Sequence, residues 1–314
     1  MKIAVKRADA IRLHAHWLLY FHEVVQVGSI RGAARNLNVA PSVISRQIKE
    51  VEATIGDRLL ERVSKKLTLT AAGEVVSAHV NQVLRGLGHM QNSLDEIRGL
   101  QRGHIVIAAV PAAAAEVMPR IVAPFVKKNP RITFECTFVG TAGVIEKISA
   151  GEADVGIAFD PPVTHLTRHV IAVPVPFGAI MSPDNPLAGR KTLRLYDLVD
   201  ANIPLIFPDS SISTRPIIED SMTKSSLDVQ PVITSSNREF VLGLFKAGAG
   251  VSFQTPVGIR RELREGSLIF IPFMEPGIKP HQLTVLVNAQ RPPSLIASLM
   301  AEATRAGVAD LLKN

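Results

Sequence analysis

The stretch that decides the fold runs from Phe21 to Gly73: FHEVVQVGSIRGAARNLNVAPSVISRQIKEVEATIGDRLLERVSKKLTLTAAG. Ser29 suits a helix N-cap, and Ala33, Ala34 and Leu37 follow at helical spacing. The two alanines leave room for a second helix to cross closely. Asn36-Leu37-Asn38-Val39 interrupts the run with turn chemistry. Pro41 then fits the first position of a new helix, where its missing N–H costs nothing. Ile44, Ile48 and Val51, spaced four and three, form an inward stripe, while Ser42, Ser45, Arg46 and Lys49 fall on other faces. Leu18, Phe21, Val24 and Val25 make an earlier amphipathic helix that closes a three-helix core. A recognition helix in a DNA major groove requires this division into an apolar and a polar side.

Beyond the helix-ending Ile55-Gly56, Leu67 and Leu69 alternate as in a strand. Arg62, Lys65 and Lys66 precede them as a basic tip, a wing placed to meet phosphates or the minor groove. The candidate DNA contacts are Ser29, Arg31, Ser42, Ser45, Arg46, Lys49, Arg62, Lys65 and Lys66. The charge distribution points the same way. Residues 1–66 hold 12 Lys and Arg against 6 Asp and Glu, a surplus of +6 in a chain whose formal net charge is +7. Nearly all the excess lies where the helix pattern is.

Residues 71–99 carry a second pattern. Val76, Val80, Val83, Leu87, Met90, Leu94 and Ile97 repeat at spacings of four and three, an a/d seam on a helix about 43 Å long. Such a stripe needs a partner, and these seven residues are the candidate dimerisation seam, since a helix-turn-helix gains affinity from two half-sites. Gly86 and Gly88 weaken the helix by about 1 kcal/mol each relative to Ala.

Residues 18–73 resemble the LysR-type transcriptional regulators. The matching residues are Phe21, Gly28-Ser29, Ala33-Ala34, Leu37, Val39, Ser45-Arg46-Gln47-Ile48, Glu52, Ile55-Gly56, Arg58-Leu59-Leu60-Glu61-Arg62, and Leu67-Thr68 through Ala72-Gly73. Pro41 stands where the family often has Gln. It cannot offer an amide to adenine, which leaves base reading to Ser42, Ser45 and Arg46. About fifteen residues, with Lys2, Lys6, Arg7 and Arg12, precede the family's usual start; they suit a flexible arm on DNA or a disordered tail, and the tail is the favoured reading. The resemblance implies double-stranded DNA as partner, at an imperfect promoter inverted repeat. It also implies a homodimer or homotetramer, contact with RNA polymerase, and a small-molecule effector of unidentified and possible anionic character.

The rest of the chain reads as α/β. After a short hinge at Leu100-Gln101-Arg102-Gly103, Ile105–Val110 is a continuous apolar run suited to a strand buried on both faces. A helix through Met118, Ile121, Val122 and Phe125 follows, then an alternating strand at Ile132–Phe138, a helix opening at Gly140-Thr141, and a strand at 155–159. This β-α-β-α-β order implies parallel strands with right-handed crossovers. A second unit spans about 165–268. It has strands at Ile171–Val175, Ala179–Met181, Pro204–Phe207, Val229–Thr234 and Gly250–Phe253, and helices near Arg215–Thr223, Arg238–Lys246 and Pro256–Glu265. Leu268–Pro272 and Leu283–Asn288 are read as strands returning to the first unit, before a C-terminal helix at about 292–312.

The expected architecture is therefore α/β with an N-terminal winged helix-turn-helix (1–70), a dimerisation linker helix (71–99) and a two-lobed effector domain (100–314) resembling periplasmic binding proteins. Lobe I would comprise about 104–164 and 269–314, and lobe II about 165–268. An anion between such lobes can be held by helix N-termini. The candidate effector contacts are Thr141, Ser210, Ser211, Arg215, Ser235, Ser236, Gln254 and Thr255, with Arg215 suited to a carboxylate. Pro111-Ala112-Ala113-Ala114-Ala115 offers no hydroxyl where many family members place Ser or Thr.

Neither rival class finds support. No P-loop, HExxH or G-x-S-x-G occurs, so no catalytic residue, cofactor or metal site is expected. The nine histidines are scattered and read as surface or interface residues, and the single Cys136, within a strand, reads as buried core. A solute-binding protein would need export, yet Arg12, His14 and His16 stand where an apolar signal core would be. The expected location is the cytoplasm, with no membrane association.

Overall fold

A computed structural model of the chain describes residues 16–63, 66–97, 103–210, 212, 214–224, 226–227, 230–274 and 278–310. The N-terminal tail, Lys65 at the wing tip, the hinge residues Leu100, Gln101 and Arg102, and Ser211 lie outside the described residues. The chain divides into two units, Met1–Arg102 and Gly103–Asn314.

The first unit opens with α1 (Trp17–Val27), α2 (Ile30–Leu37) and α3 (Pro41–Ile55). The helices stop where the sequence says they should, because Gly28, Asn38 and Gly56 take left-handed φ values of 67°, 56° and 88°. Ser29 caps α2 by accepting from the Gly32 N–H at 3.3 Å. Ala33 and Ala34 are buried against Val24, Ile44 and Ile48. The wing is a hairpin of β1 (Leu60–Val63) and β2 (Lys66–Leu69), with Val63 opposite Lys66. Only Leu60 of β1 is even partly buried, so that strand carries no hydrophobic alternation for a sequence reading to detect.

Three polar devices seat the wing. The Glu52 carboxylate accepts from the N–H groups of Leu59 (2.8 Å) and Leu60 (3.3 Å). The Leu67 N–H donates to the Gly28 carbonyl at 3.1 Å. Thr70 donates its hydroxyl to the Arg58 carbonyl (2.6 Å) and accepts from the Gly73 N–H (2.9 Å). Gly73 has no room for a side chain, since a Cβ there would sit 2.0 Å from the Leu59 carbonyl oxygen.

The linker helix α4 (Ala71–Ile97) corrects the expected seam. Its first half is already partnered within the chain. Val80 is buried with Leu18, Phe21 and Leu59, and Val76 and Val83 pack on the same cluster. One stripe therefore serves two ends: the wing-proximal part completes the core of the first unit, and Leu87 is buried too, while Met90 and Leu94 are exposed. The Ile97 side chain lies outside the described residues. A Cβ at Gly86 or Gly88 would meet nothing within 4 Å.

The second unit has two five-stranded sheets. The first contains β3 (Gly103–Ala109), β4 (Ile132–Phe138), β5 (Val155–Phe159), β6 (Thr167–Val175) and β12 (His281–Asn288), in the order β4-β3-β5-β12-β6. The strands β3, β4 and β5 are parallel, and β12 runs against both β5 and β6. The second contains β7 (Gly178–Met181), β8 (Leu205–Pro208), β9 (Ile233–Ser235), β10 (Val251–Gln254) and β11 (Ile269–Pro272), in the order β11-β7-β10-β8-β9. Here β8, β9 and β10 are parallel.

Two lobe boundaries move. Residues 167–175, expected in lobe II, pair with β12 in the first sheet, and Ile269–Pro272, expected in lobe I, pairs with β7 in the second. Apolar strand runs carry no mark of the sheet they join. The chain thus passes from the first sheet to the second after Val175, and from the second back to the first between Pro272 and His281.

Helices α5 (Pro111–Ala114), α6 (Val117–Lys128), α7 (Thr141–Ser149) and α12 (Leu295–Asp310) accompany the first sheet. The second has α8 (Leu195–Asp200), α9 (Thr214–Lys224), α10 (Arg238–Lys246) and α11 (Arg260–Arg264). The expected helix at Pro256–Glu265 shortens to α11 because Gly258 takes a φ of 84°. Cys136 is exposed on the edge strand β4 rather than buried. His281 departs from the surface reading of the histidines, being 2% exposed.

Candidate functional site

Two surfaces can hold a partner, one in each unit. On α3, Ile44 and Ile48 are 0% and 5% exposed and face the helical core. Ser42, Arg46 and Lys49 are exposed on the other side, and Ser45 is half-buried at its margin. Arg46 stands 3.6 Å from Glu50, which also accepts from Gln47 at 2.8 Å. With side chains 71% and 58% exposed, this ion pair is weak enough to be exchanged for a phosphate or a base. Arg31, Arg62 and Lys66 are also exposed on this unit. Ser29 spends its hydroxyl on the α2 cap.

The second surface is a cleft in the C-terminal unit, enclosing about 880 Å³ that includes space open to solvent. Topology places it. Of the parallel strands, β3 runs into Val110, β5 ends at Phe159, and β4 runs into Gly140-Thr141. The parallel strands of the second sheet end at Phe207-Pro208, Ser235-Ser236 and Phe253-Gln254, and all of these residues line the cleft. Carboxyl ends of parallel strands are where open α/β sheets bind ligands, because the following helices direct their N-termini there. Helices α7 and α10 begin at Thr141 and Arg238, both in the lining.

Of the expected effector residues, Thr141, Ser235, Ser236, Gln254 and Thr255 line this cleft. Thr141 donates its hydroxyl to the Phe159 carbonyl at 3.1 Å. Ser210 is exposed and is not among the lining residues. Arg215 is not among them either. Its guanidinium is committed to Glu219 (2.6 Å), to the Pro208 carbonyl (3.1 Å) and to the Phe207 ring face, 4.9 Å from the centroid. A salt bridge and a cation–π contact replace the expected carboxylate role.

Arg238 is the cation that does line the cleft, and the sequence reading passed over it. It pairs with Glu239 at 2.8 Å and donates to the Gly258 carbonyl. The signal was present in Ser235-Ser236-Asn237-Arg238, where Asn237 caps α10 by accepting from the Phe240 N–H at 3.0 Å. Ser252, also missed, sits inside an apolar strand and lines the cleft at 5% exposure.

Two contacts join the lobes beside the cleft. The Glu116 carboxylate accepts from the Gly258 N–H at 3.3 Å and lies 3.9 Å from Arg260. Gly258 approaches Ala112 so closely that a Cβ would sit 2.5 Å from the Ala112 carbonyl oxygen. At the chain crossings, His281 bonds Asp160 and packs edge-on against Phe177, ring centroids 4.8 Å apart. Partial burial pushes the Asp160 carboxyl up. Hydrogen bonds from His281 and the Gln282 N–H, with the attraction of His281, outweigh this and hold it below the ordinary carboxylate value.

A winged helix-turn-helix ahead of a two-lobed α/β ligand domain defines a DNA-binding regulator with a sensor. The chain belongs to the LysR family of bacterial regulators: residues 15–74 match the family's regulatory helix-turn-helix domain and residues 98–309 its substrate binding domain. It is 26% identical to a probable RuBisCO transcriptional regulator of Emiliania huxleyi over 84% of this chain and 85% of that protein. It is 27% identical to the transcriptional regulator AlsR of Bacillus subtilis (strain 168), over 75% of this chain and 78% of the relative. The crystal structure of full-length CbnR with its target DNA shares the fold, with a TM-score of 0.69 at 22% identity, covering 93% of this chain and 99% of that one. The protein is a LysR-family DNA-binding transcriptional regulator with an effector-binding domain, and the named relatives are regulators rather than enzymes. No helix among the described residues is long and apolar enough to cross a membrane.

Proposed function

We propose that this regulator acts in the cytoplasm and reads an imperfect inverted repeat beside its target promoters. Ser42, Ser45, Arg46 and Lys49 enter the major groove, and Arg31, Arg62, Lys65 and Lys66 hold phosphates. The observation that carries this reading is the two-sided α3, buried at Ile44 and Ile48 and polar and exposed at Ser42, Arg46 and Lys49. Two copies pair through the part of α4 from Met90 onward, and pairs of dimers bring two half-sites together at the promoter, within reach of RNA polymerase. An effector in the cleft favours one lobe arrangement and so shifts the spacing of the DNA-binding units. Only differential affinity for the two arrangements can drive that shift.

Genomic pull-down of the purified protein with fragmented DNA, sequenced at near-physiological salt, tests this. The expected result is a dyad motif beside a few promoters. Salt-sensitive binding without a motif would reduce the N-terminal unit to a generic basic domain. The double substitution Met90→Asp with Leu94→Asp is expected to halve the mass seen by light scattering. A native mass would remove α4 from the dimer contact.

A further inference from the structure

Resting on the reading of α3 as the helix that enters the major groove, we infer that Pro41 reads a thymine in each half-site through the 5-methyl group of the base. The start of α3 is apolar where helix starts are ordinarily polar. Its N-cap is Ala40, which supplies no side-chain hydrogen bond, and Pro41 follows in the first turn. Ala40 and Pro41 are both exposed. The preceding helix, α2, opens instead on the hydroxyl of Ser29. Proline suits a first turn, but alanine is a poor N-cap, so the exposed carbon surface before and at Pro41 is only half explained by the helix itself.

Position gives this surface its role. The N-terminal residues of a helix in the major groove are the ones that reach base edges. Pro41 lies four residues before Ser45, one turn along the same side of α3, while Ile44 and Ile48 turn into the core. Ser42 and Arg46, exposed beside this line, present polar groups to the same groove. Val43, the remaining apolar residue of the first turn, is half-buried. Ala40 and Pro41 are thus the exposed carbon at the leading end of an otherwise polar face.

The base follows from the chemistry of the groove. The pyrrolidine ring offers neither donor nor acceptor, and the proline nitrogen carries no hydrogen. A donor or acceptor pressed against it would lose its water without compensation. In the major groove adenine, guanine and cytosine are marked by donors and acceptors, and thymine alone adds a methyl group. A glutamine at this position would select adenine through its amide, whereas proline selects a 5-methylated pyrimidine. 5-Methylcytosine carries the same methyl group and separates its contribution from that of the rest of the base.

Selection of duplexes from a random library by the full chain defines the motif, and each of its thymines is then replaced singly by uracil, which lacks only the methyl group. Fluorescence anisotropy at fixed salt measures each duplex. At one thymine per half-site, uracil is expected to weaken binding about fourfold, the value of one methyl group removed from water. At the same position 5-methylcytosine is expected to bind about fourfold more tightly than cytosine. Pro41→Gln is expected to bring the thymine–uracil ratio there to about one and to move the preference toward adenine. A merely structural role for Pro41 would weaken all duplexes alike and leave the ratio intact. The proposal is overturned if no thymine of the motif is distinguished from uracil, if cytosine and 5-methylcytosine bind alike, or if the ratio survives Pro41→Gln. In each of these cases an enriched motif that Arg46→Ala relaxes keeps α3 in the groove. A library that yields no motif overturns the reading of α3 itself.

Discussion

Helix α3 and the cleft hold their polar groups under opposite conditions. On α3, Arg46 and Lys49 stand in solvent, and the ion pair that engages Arg46 is mostly exposed. In the cleft, Ser252 and Thr255 are nine-tenths buried, and Arg238 is the one cation among the described residues that line it. The first arrangement suits a polyanion, whose grip comes from displaced counterions and weakens with salt. The second suits a small ligand, where each polar group counts for more because water is scarce. Substitutions on α3 are therefore expected to give graded, salt-dependent losses, and those in the cleft sharper losses that salt barely alters.

The largest effect should come from Ile44→Ala, which empties the fully buried side of α3. A loss of about 3 kcal/mol in the first unit is expected. DNA binding should fail, while ligand binding by the second unit stays intact. Denaturant unfolding with separate DNA and ligand titrations checks this. A matching fall in ligand affinity would mean that the two units do not stand as independent cores.

The same contrast explains how much the sequence disclosed. The two-sided α3 was legible because it lies in one continuous stretch, where helical spacing alone sorts the buried Ile44 from the exposed Arg46. The cleft is assembled from strand ends more than a hundred residues apart, such as Val110 and Gln254, and only topology brings them together. Arg215 and Arg238 show where local reading runs out. Both stand at helix starts, yet Glu219 and the Phe207 ring take one, and the cleft receives the other. The spacing in α4 marks a stripe but not what covers it. Its division between the chain's own core and exposed surface depended on where Phe21 and Leu59 fold back. Nothing in the spacing of Glu116 and Gly258, or of Asp160 and His281, marks them as partners, because such pairs across 121 to 142 residues leave no periodic trace.

Arg46→Ala comes next in size. If Arg46 reads a base, the cognate site should lose about 1–3 kcal/mol and specificity at that position should relax. Fluorescence anisotropy on the cognate site and on single-position variants separates this from a phosphate contact, and an unchanged sequence preference would reject base reading. Lys66→Ala should do less, weakening all sequences alike and lowering the salt slope by about 1. An unaltered slope would take the wing out of the footprint and leave α3 to carry the interface alone.

The smallest effect belongs to the second unit and appears only with acid. Asp160 is held below the ordinary carboxylate value in the folded chain, so the unfolded state binds its proton more readily. The pair with His281 thus contributes stability that is fully present above the unfolded Asp value of about 3.9 and fades as pH falls through the lower, folded value. Asp160→Asn removes that dependence. The variant should be less stable than the parent near neutral pH, and the difference should narrow as pH falls below about 4. Thermal unfolding at a series of pH values measures it. The transition of the first unit should stay where it was, because Asp160 and His281 join elements of the second unit alone. A difference that stays constant across the acid range would mean that the carboxylate's charge contributes nothing at the lobe crossing, and that packing of His281 against Phe177 holds it instead.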